Sequence, residues 1–255
     1  MQLSYQYYKN AKAPNTLFLV HGYCSDHRVW DRLLVTLKPH YSVLTLDLPG
    51  YYLNEHLDSY YSIEDFAKTI VELLEHLNLD KVTYVGHSMG GYVGLEVLSK
   101  YPQYLEALVM LNSHCYRDSF EKATNRSKTI QFLERRGSDI YINEIYKSLF
   151  GNDFYTKNLE TIQELKSNAK EYPVKTLIHS CEAMIAREDH SVTIIESHIP
   201  IYFLMGDRDA LIPIEEYIEM LTLSPLETYQ ILTECGHMGM YEATEEVSDF
   251  LINNL

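Results

Sequence analysis

A serine, a pair of closely spaced aspartates and a histidine have the residue types and order needed for nucleophilic chemistry. Ser88 lies in "GHSMG" (86–90), which fits the pattern G-x-S-x-G. In that pattern the serine occupies a sharp strand-to-helix turn with its hydroxyl exposed above a sheet. The run before Ser88 is apolar and β-branched, and Leu95 and Leu98 behind it lie at helical spacing. These neighbours predict the strand-to-helix junction that the pattern requires.

The glycines beside Ser88 have a steric purpose in such a turn. A side chain at Gly86 or Gly90 would collide with neighbouring backbone. A helix starting at Ser88 also directs its free N–H groups and the positive end of its dipole toward the site. Ser88 is therefore predicted to be a nucleophile rather than a simple helix cap.

A serine hydroxyl is a weak nucleophile and needs a base, which an acid must orient. The expected chain order is serine, then aspartate or glutamate, then histidine. "GDRDALIP" supplies Asp207 and Asp209, and "CGHMGMYEA" supplies His237. Each motif ends a predicted strand, and sites in open α/β sheets form at such carboxyl ends. On position alone, either aspartate could be the acid.

An acyl-transfer site also needs donors for the oxyanion that forms during attack. These donors are normally the N–H of the residue after the nucleophile and an N–H that follows an earlier strand. Met89 follows Ser88, and Tyr23 follows "LVHG" at the end of the first predicted strand. We expect the backbone N–H groups of Tyr23 and Met89 to form the oxyanion hole.

Strand-like and helical segments alternate along most of the chain. Alternation of this kind predicts a mostly parallel sheet with helices on both faces. The predicted strands cover residues 16–22, 41–50, 81–88, 105–113, 199–209 and 228–237, and the predicted helices cover 29–38, 62–79, 88–102, 213–221 and a final segment whose acidic run 242–250 is expected to be solvated.

Residues 114–195 interrupt this alternation. They contain helical patterns near 127–135, 139–149, 159–170 and 175–187, without a convincing strand. We expect this cap segment (114–195) to be a helical subdomain inserted between late strands, above the carboxyl edge of the sheet. The remaining residues, 1–113 and 196–255, would form the core, with boundaries that are approximate.

Composition narrows the classes of function. The 255-residue chain has a formal charge of −15 at pH 7, which argues against nucleic acid and anionic membrane surfaces as partners. No apolar run reaches the roughly 18 residues of a membrane span, and residues 1–20 do not resemble a secretory signal. The four cysteines show no CxxC spacing, which favours reduced thiols in a cytoplasmic protein.

The spacing of the cysteines also argues against a metal centre. Cys24, Cys115 and Cys235 fall near the predicted carboxyl edge beside His114, but they have no ligand signature. Thiols commonly serve as small buried apolar groups. We expect neither a metal nor a cofactor.

The chain resembles the α/β-hydrolase fold superfamily over nearly its whole length. The resemblance rests on "HG" at 21–22, "DLPG" at 47–50, "GHSMGG" at 86–91, "GDRD" followed by Pro213, and "GH" at 236–237. It implies that the acid is the second aspartate of the late motif, Asp209. One departure is "DLPGYYLNE" (47–55), where this family more often has Gly-His-Gly-x-Ser.

This resemblance implies a serine hydrolase that cleaves a small or medium carboxylic ester through Ser88, His237 and Asp209. A serine nucleophile argues against the dehalogenase and epoxide hydrolase branches, which use an aspartate there. Thioesters, lactones, amides and carbon–carbon bonds remain compatible with the same triad. A lyase or synthase and a receptor-like binding protein remain as alternatives. The net charge of −15 weakly disfavours strongly anionic substrates such as coenzyme A esters, unless local charge at the mouth of the pocket reverses this preference.

Overall fold

A mostly parallel seven-stranded sheet organises the protein in this computed structural model, which describes residues 3–54, 61–223 and 228–255. The strand order across the sheet is β1-β3-β2-β4-β5-β6-β7. Each neighbouring pair is parallel except β1 with β3. The strands are Tyr5–Tyr8 (β1), Thr16–Val20 (β2), Ser42–Leu46 (β3), Val82–His87 (β4), Leu105–Leu111 (β5), Ile201–Gly206 (β6) and Thr228–Leu232 (β7).

Helices cover this sheet and fill the long interval between β5 and β6. Two short 3-10 helices, His27–Trp30 and Pro102–Tyr104, accompany them. The α-helices of the described residues are Asp31–Leu37 (α1), Ile63–His76 (α2), Met89–Lys100 (α3), Phe120–Arg136 (α4), Ser138–Leu149 (α5), Asn152–Lys157 (α6), Leu159–Ala169 (α7), Val174–Ala186 (α8), Ser191–Ile195 (α9), Ile214–Leu221 (α10), Gly239–Glu242 (α11) and Thr244–Asn254 (α12).

The central strands are covered on both faces. Every residue of β3 and β4 is buried, although side chains alternate between the two faces of a strand. Helix α2 packs against α3, and α1 packs against α12. The α/β fold class that the sequence predicts is therefore confirmed.

The edge strand β1 is absent from the sequence-based prediction. It pairs antiparallel with β3, placing Tyr5 opposite Leu46 and Tyr8 opposite Val43. With four partly exposed residues, it is too short for its alternation to stand out. Its position at the edge explains why a polar, tyrosine-rich strand is tolerated there.

Six helices and no strand lie between β5 and β6 in the part of the chain that the structure describes. Two of them, α6 and α9, have only six and five residues and are missing from the prediction. Helix α4 starts at Phe120, earlier than expected, because the Ser119 hydroxyl caps it by accepting from the Lys122 N–H at 3.2 Å. The division of the chain into a core and a cap subdomain at residues 114 and 195 stays a prediction.

Two further sequence-based expectations concern membrane spans and segments that lie partly outside the described residues. None of the helices in the described ranges has the length and apolar character needed to cross a bilayer. Of the "DLPGYYLNE" segment, Glu55 lies outside the described residues, as do Met1 and Gln2 of the N-terminal segment.

Candidate active site

Ser88 lies in a strained turn between β4 and α3. Its φ of 50° and ψ of −117° fall outside the regions that non-glycine residues usually adopt. The backbone crosses so closely here that a Cβ on Gly86 would lie 2.5 Å from the Gly90 oxygen. A Cβ on Gly90 would lie 2.3 Å from the Val20 oxygen. The predicted steric role of both glycines is therefore confirmed.

The structure places His237 between Ser88 and Asp209. The Ser88 Oγ lies 2.8 Å from His237 Nε2, and His237 Nδ1 lies 2.7 Å from Asp209 Oδ2. Asp209 follows β6, His237 follows β7, and Ser88 follows β4, so three strand ends supply the three groups. Asp207 instead accepts a hydrogen bond from the Cys235 N–H at 3.2 Å. Of the two aspartates, Asp209 is the one that contacts the histidine.

The Asp209 carboxylate is buried and well supplied with donors. Burial alone would raise the pKa of Asp209, but the facing His237 and the hydrogen bonds to its oxygens lower that pKa below its usual value. The carboxylate is therefore held in its ionised form. Besides His237, it accepts from the N–H groups of Leu211 (2.9 Å) and Ile212 (3.0 Å), the Tyr217 hydroxyl (3.0 Å) and the Asn112 amide (3.3 Å).

Glu242 holds the loop that carries His237. Its carboxylate accepts hydrogen bonds from the N–H groups of Gly236 at 3.0 Å and Met238 at 3.1 Å, on either side of the histidine. It also accepts from the Gly151 N–H at 2.7 Å, which ties the loop to the cap segment. The sequence predicts that the acidic run 242–250 is a solvated face of the last helix, and Glu242, which ends α11 and is half-buried, departs from that prediction. Nothing local in the sequence distinguishes Glu242 from its exposed neighbours.

His87 holds the loop that carries His237 through a hydrogen bond to its backbone. The His87 Nε2 lies 2.8 Å from the carbonyl oxygen of His237 and donates to it, while His87 Nδ1 is buried without a partner. Burial, together with the neighbouring His237, lowers the pKa of His87 to about 3. His87 is therefore a neutral hydrogen-bond donor, which does not line the cavity described below.

The two expected oxyanion donors lie beside Ser88. Met89 is the first residue of α3, and Tyr23 lines the same cavity as Ser88. Within the described ranges, neither backbone N–H donates to a protein acceptor. The loop before Tyr23 is held by His21, whose Nδ1 lies 2.8 Å from the Gly22 oxygen and whose Nε2 accepts from the Leu48 N–H at 2.9 Å. His21 therefore positions the loop.

A cavity of about 210 Å³ opens onto Ser88 and His237. Its lining comes largely from the cap segment, which the sequence alone could not resolve into inward and outward faces. Side chains from α4 make it polar on one side, and side chains from α5, α8 and the loop after β6 make it mainly apolar elsewhere. The polar group is Lys122, Asn125, Arg126 and Thr129, and the mainly apolar group is Tyr141, Ile145, Leu149, Met184, Leu211 and Ile212.

One group of potential metal ligands occurs in the part of the chain that the structure describes. Asp26, His27 and Asp47 each offer an atom within 4.8 Å of the others. Ordinary hydrogen bonds account for this arrangement, because His27 Nδ1 lies 2.8 Å from Asp47 Oδ1 and Asp26 pairs with Arg28. The cluster does not line the cavity, and the cysteines near the sheet edge are not part of it.

Comparison with known proteins places these features in a family. A family model described as the alpha/beta hydrolase fold matches residues 15–244. The uncharacterized hydrolase YugF of Bacillus subtilis is 22% identical over 97% of this chain and 92% of its own length. The pimeloyl-[acyl-carrier protein] methyl ester esterase of Vibrio vulnificus is 26% identical over 87% of this chain and 86% of its own.

Solved structures agree with this fold. A thermophilic esterase from Thermogutta terrifontis superposes with a TM-score of 0.91 at 24% identity, covering 98% of this chain and 92% of that one. The sheet order, the turn at Ser88 and the length of the family match are all consistent with this fold. The chain belongs to the alpha/beta hydrolase fold family.

Proposed function

We propose that the protein is a serine hydrolase that cleaves a small or medium carboxylic ester. The observation that carries the proposal is the continuous hydrogen-bonded chain from Ser88 through His237 to Asp209, at 2.8 and 2.7 Å. These distances lie within the range needed for proton transfer between a nucleophile and its base. Ser88, at the end of this hydrogen-bonded series, lines the cavity, where a substrate carbonyl can approach it.

The reaction begins when His237 Nε2 takes the proton of the Ser88 hydroxyl. The Ser88 Oγ then attacks the ester carbonyl carbon, and the carbonyl oxygen becomes a tetrahedral oxyanion. The N–H groups of Tyr23 and Met89 donate to that oxyanion. His237 returns its proton to the departing alcohol, which leaves an acyl group on Ser88. His237 next takes a proton from water, and the resulting hydroxide attacks the acyl carbonyl carbon. The bond from that carbon to Ser88 Oγ then breaks, His237 returns its proton to Ser88 Oγ, and the free acid is released.

Asp209 acts through His237 rather than on the substrate. Its carboxylate holds the proton on Nδ1, so that Nε2 faces Ser88 as a base, and it stabilises the imidazolium that forms during attack. The lowered pKa of Asp209 keeps this charge in place. These steps use side chains, the two backbone N–H groups and water, and therefore require no metal or cofactor.

An ester is favoured as the substrate for two reasons. Ser88 and its partners form the arrangement used for acyl transfer, and a relative that is 26% identical carries the name of a methyl ester esterase. We further propose that the cap segment, residues 114–195, supplies the walls that select the acyl or alcohol group. A small-molecule substrate, without nucleic acid as a partner, is consistent with the size of the cavity and the charge of −15. The spacing of the cysteines favours a cytoplasmic enzyme.

Turnover of p-nitrophenyl acetate and butyrate tests this proposal. Release of p-nitrophenol should depend on Ser88, and Ser88→Ala should lower kcat by about 10⁶-fold. A matched control is Ser127→Ala, which removes an exposed hydroxyl from α4 and should leave kcat at the wild-type value. Hydrolysis that survives Ser88→Ala, or no hydrolysis of either ester by the folded wild type, would contradict the proposal.

A further inference from the structure

Helix α4 makes the polar side of the cavity beside Ser88. Lys122, Asn125, Arg126 and Thr129 all line the cavity, and their spacing of three and four residues places them on one face of the helix. Two of these four residues are cationic. No aspartate or glutamate lines this cavity in the part of the chain that the structure describes. The local charge is therefore opposite in sign to that of the whole chain.

A single buried carboxylate, Asp118, lies between two guanidinium groups behind this face. Its Oδ2 accepts from Arg126 Nε at 2.7 Å, and its Oδ1 accepts from Arg187 Nη1 at 2.7 Å. The Asp118 side chain is 0% exposed. Two positive charges share one negative charge here, so the cluster retains an excess of one positive charge.

Arg187 has four of its five N–H donors engaged by protein acceptors. Its Nη1 also donates to the Met184 oxygen at 2.7 Å, and its Nε and Nη2 donate to the Tyr116 oxygen at 3.2 and 2.9 Å. Its guanidinium lies 4.0 Å from the centre of the Tyr92 ring, and only 3% of its side chain is exposed. Arg187 therefore anchors Asp118 and stabilises the cap segment.

Arg126 keeps more of its guanidinium N–H donors unpaired than Arg187 does. Within the described ranges only its Nε has a protein acceptor, so Nη1 and Nη2 keep four N–H donors unpaired. One quarter of the Arg126 side chain is accessible, at 25%, and Arg126 lines the cavity that contains Ser88. The neighbouring Lys122 is already paired with Glu216 at 2.6 Å. Arg126 is thus the cation available to a ligand.

Tyr92 supplies a further donor beside Arg126. The Tyr116 N–H donates to His114 Nδ1 at 3.2 Å, which assigns the proton of the neutral imidazole to Nε2. Burial, followed by the effect of Arg187, lowers the pKa of His114 well below its usual value, so the ring is neutral. His114 Nε2 lies 3.2 Å from the Tyr92 oxygen and donates to it. The Tyr92 hydroxyl proton can then point to a ligand in the cavity.

We propose that Arg126, assisted by the Tyr92 hydroxyl, binds a carboxylate group of the substrate. This inference rests on the proposed function and makes it more specific: the ester carries a free carboxylate, as in the half-ester of a dicarboxylic acid. A planar guanidinium with two free Nη groups matches a carboxylate through paired charge-assisted hydrogen bonds. The apolar residues from α5 and α8 contact the carbon chain between the carboxylate and the scissile ester.

This inference replaces the expectation drawn from net charge. A formal charge of −15 weakly disfavours anionic substrates only if the charge is spread evenly. The charge around the cavity is not spread evenly, because the carboxylates of Asp118 and Glu216 are already paired with cations. The positive charge of Arg126 acts at short range inside the cavity, where screening by solvent is weaker than at the open surface.

The test compares charged and neutral substrates of the same shape. The charged set is the monomethyl esters of straight-chain dicarboxylic acids with four to eight carbons. The neutral set replaces the free carboxylic acid with a primary carboxamide. We expect Arg126→Gln to lower the ratio of kcat/KM for acid over amide by roughly 10- to 100-fold, mainly through KM, because charge-assisted hydrogen bonds to the bound acid are lost. Arg126→Lys, which keeps the charge without the planar fork, should give an intermediate ratio.

Arg135→Gln is the matched control, since Arg135 is an exposed residue on the same helix. It removes the same charge and should change the ratio by less than about twofold. Because each ratio is measured within one variant, a general loss of folded enzyme cancels. A ratio that is the same in wild type and Arg126→Gln would overturn the carboxylate site.

Binding separates this inference from the proposed function. In Ser88→Ala protein, titration calorimetry should detect the half-esters, and adding Arg126→Gln should weaken their binding by roughly 10- to 100-fold. Binding that depends on Arg126 without any cleavage by the wild type would support the carboxylate site and contradict the hydrolase. Cleavage of esters that is indifferent to Arg126, with no Arg126-dependent binding, would support the hydrolase and overturn the carboxylate site.

Discussion

The carboxyl edge of the sheet and the inner face of α4 border the same cavity but are specified by the sequence in different ways. At the sheet edge, short motifs that end β4, β6 and β7 place Ser88, Asp209 and His237, and close backbone contacts at Gly86 and Gly90 fix the first of these. On α4, the position of Arg126 depends on Asp118, which in turn is held by Arg187 from the end of α8. Local backbone rules define the sheet edge, and long-range side-chain pairs define the α4 face.

This difference separates two kinds of functional effect. Changes at the sheet edge should reduce the rate of the chemical step for every substrate, because all substrates share the same scissile group. Changes on the α4 face should alter discrimination between substrates and leave the reacting groups in place. The ester and half-ester experiments above measure these two effects separately.

The largest effect expected from a supporting residue at the sheet edge is that of Asp209→Asn. Loss of the carboxylate should lower kcat by about 10⁴-fold, since His237 loses the partner that orients its ring and stabilises its charge. Ester turnover by purified variants measures this effect. Asp207→Asn is the matched control, because Asp207 lies two residues away and bonds to the Cys235 N–H instead of His237. A larger loss in Asp207→Asn than in Asp209→Asn would contradict the assignment.

His87 should impose a pH dependence on stability. The usual pKa of this histidine is 6.5 and burial lowers it to about 3, so between these values the unfolded chain binds a proton that the folded chain does not. The free energy of unfolding should therefore fall as pH falls, by up to about 1.4 kcal/mol per pH unit from this group. His87→Gln should flatten that slope. Urea unfolding at pH 6, 5 and 4 measures it.

An unchanged slope in folded His87→Gln would show that His87 does not stay neutral in the folded state. The result bears on the sheet edge because His87 donates to the carbonyl oxygen of His237. A flattened slope combined with normal turnover would show that this support affects stability rather than chemistry.

The smallest effect is expected for Tyr23→Phe. The proposed role of Tyr23 in catalysis uses its backbone N–H, which the substitution keeps. The hydroxyl accepts a weak hydrogen bond from the Cys181 thiol at 3.4 Å and has no part in the proposed reaction, so kcat should change by less than about threefold. Steady-state turnover of p-nitrophenyl butyrate is the measurement. A loss greater than tenfold would assign the hydroxyl a direct part in binding or catalysis.

The sequence predicts the sheet and the placement of its candidate site because these depend on local rules. Buried parallel strands are continuous apolar runs, and the glycines around Ser88 are required by a backbone crossing that few other sequences permit. The choice of Asp209 over Asp207 required the resemblance to a family, since both residues follow the same strand. The contact between Asp209 and His237 agrees with that choice.

The parts that could not be predicted depend on contacts between distant residues. The carboxylate of Glu242 holds Gly236, Met238 and Gly151, yet in the sequence it is one of several acidic residues in the run 242–250. Arg126 likewise stands in a polar helix whose inner face only the partners of that helix define. Net charge likewise does not reveal the positive α4 face, because it does not record which charges are already paired.

Reaction with a fluorophosphonate probe tests the central claim most directly, because the probe reports an activated serine without needing the natural substrate. Intact-mass analysis followed by peptide mapping should find one adduct, on Ser88, and the adduct should be absent in folded His237→Ala protein. Modification of a different residue, or no modification of the folded wild type, would contradict the account of Ser88 as a nucleophile activated by His237.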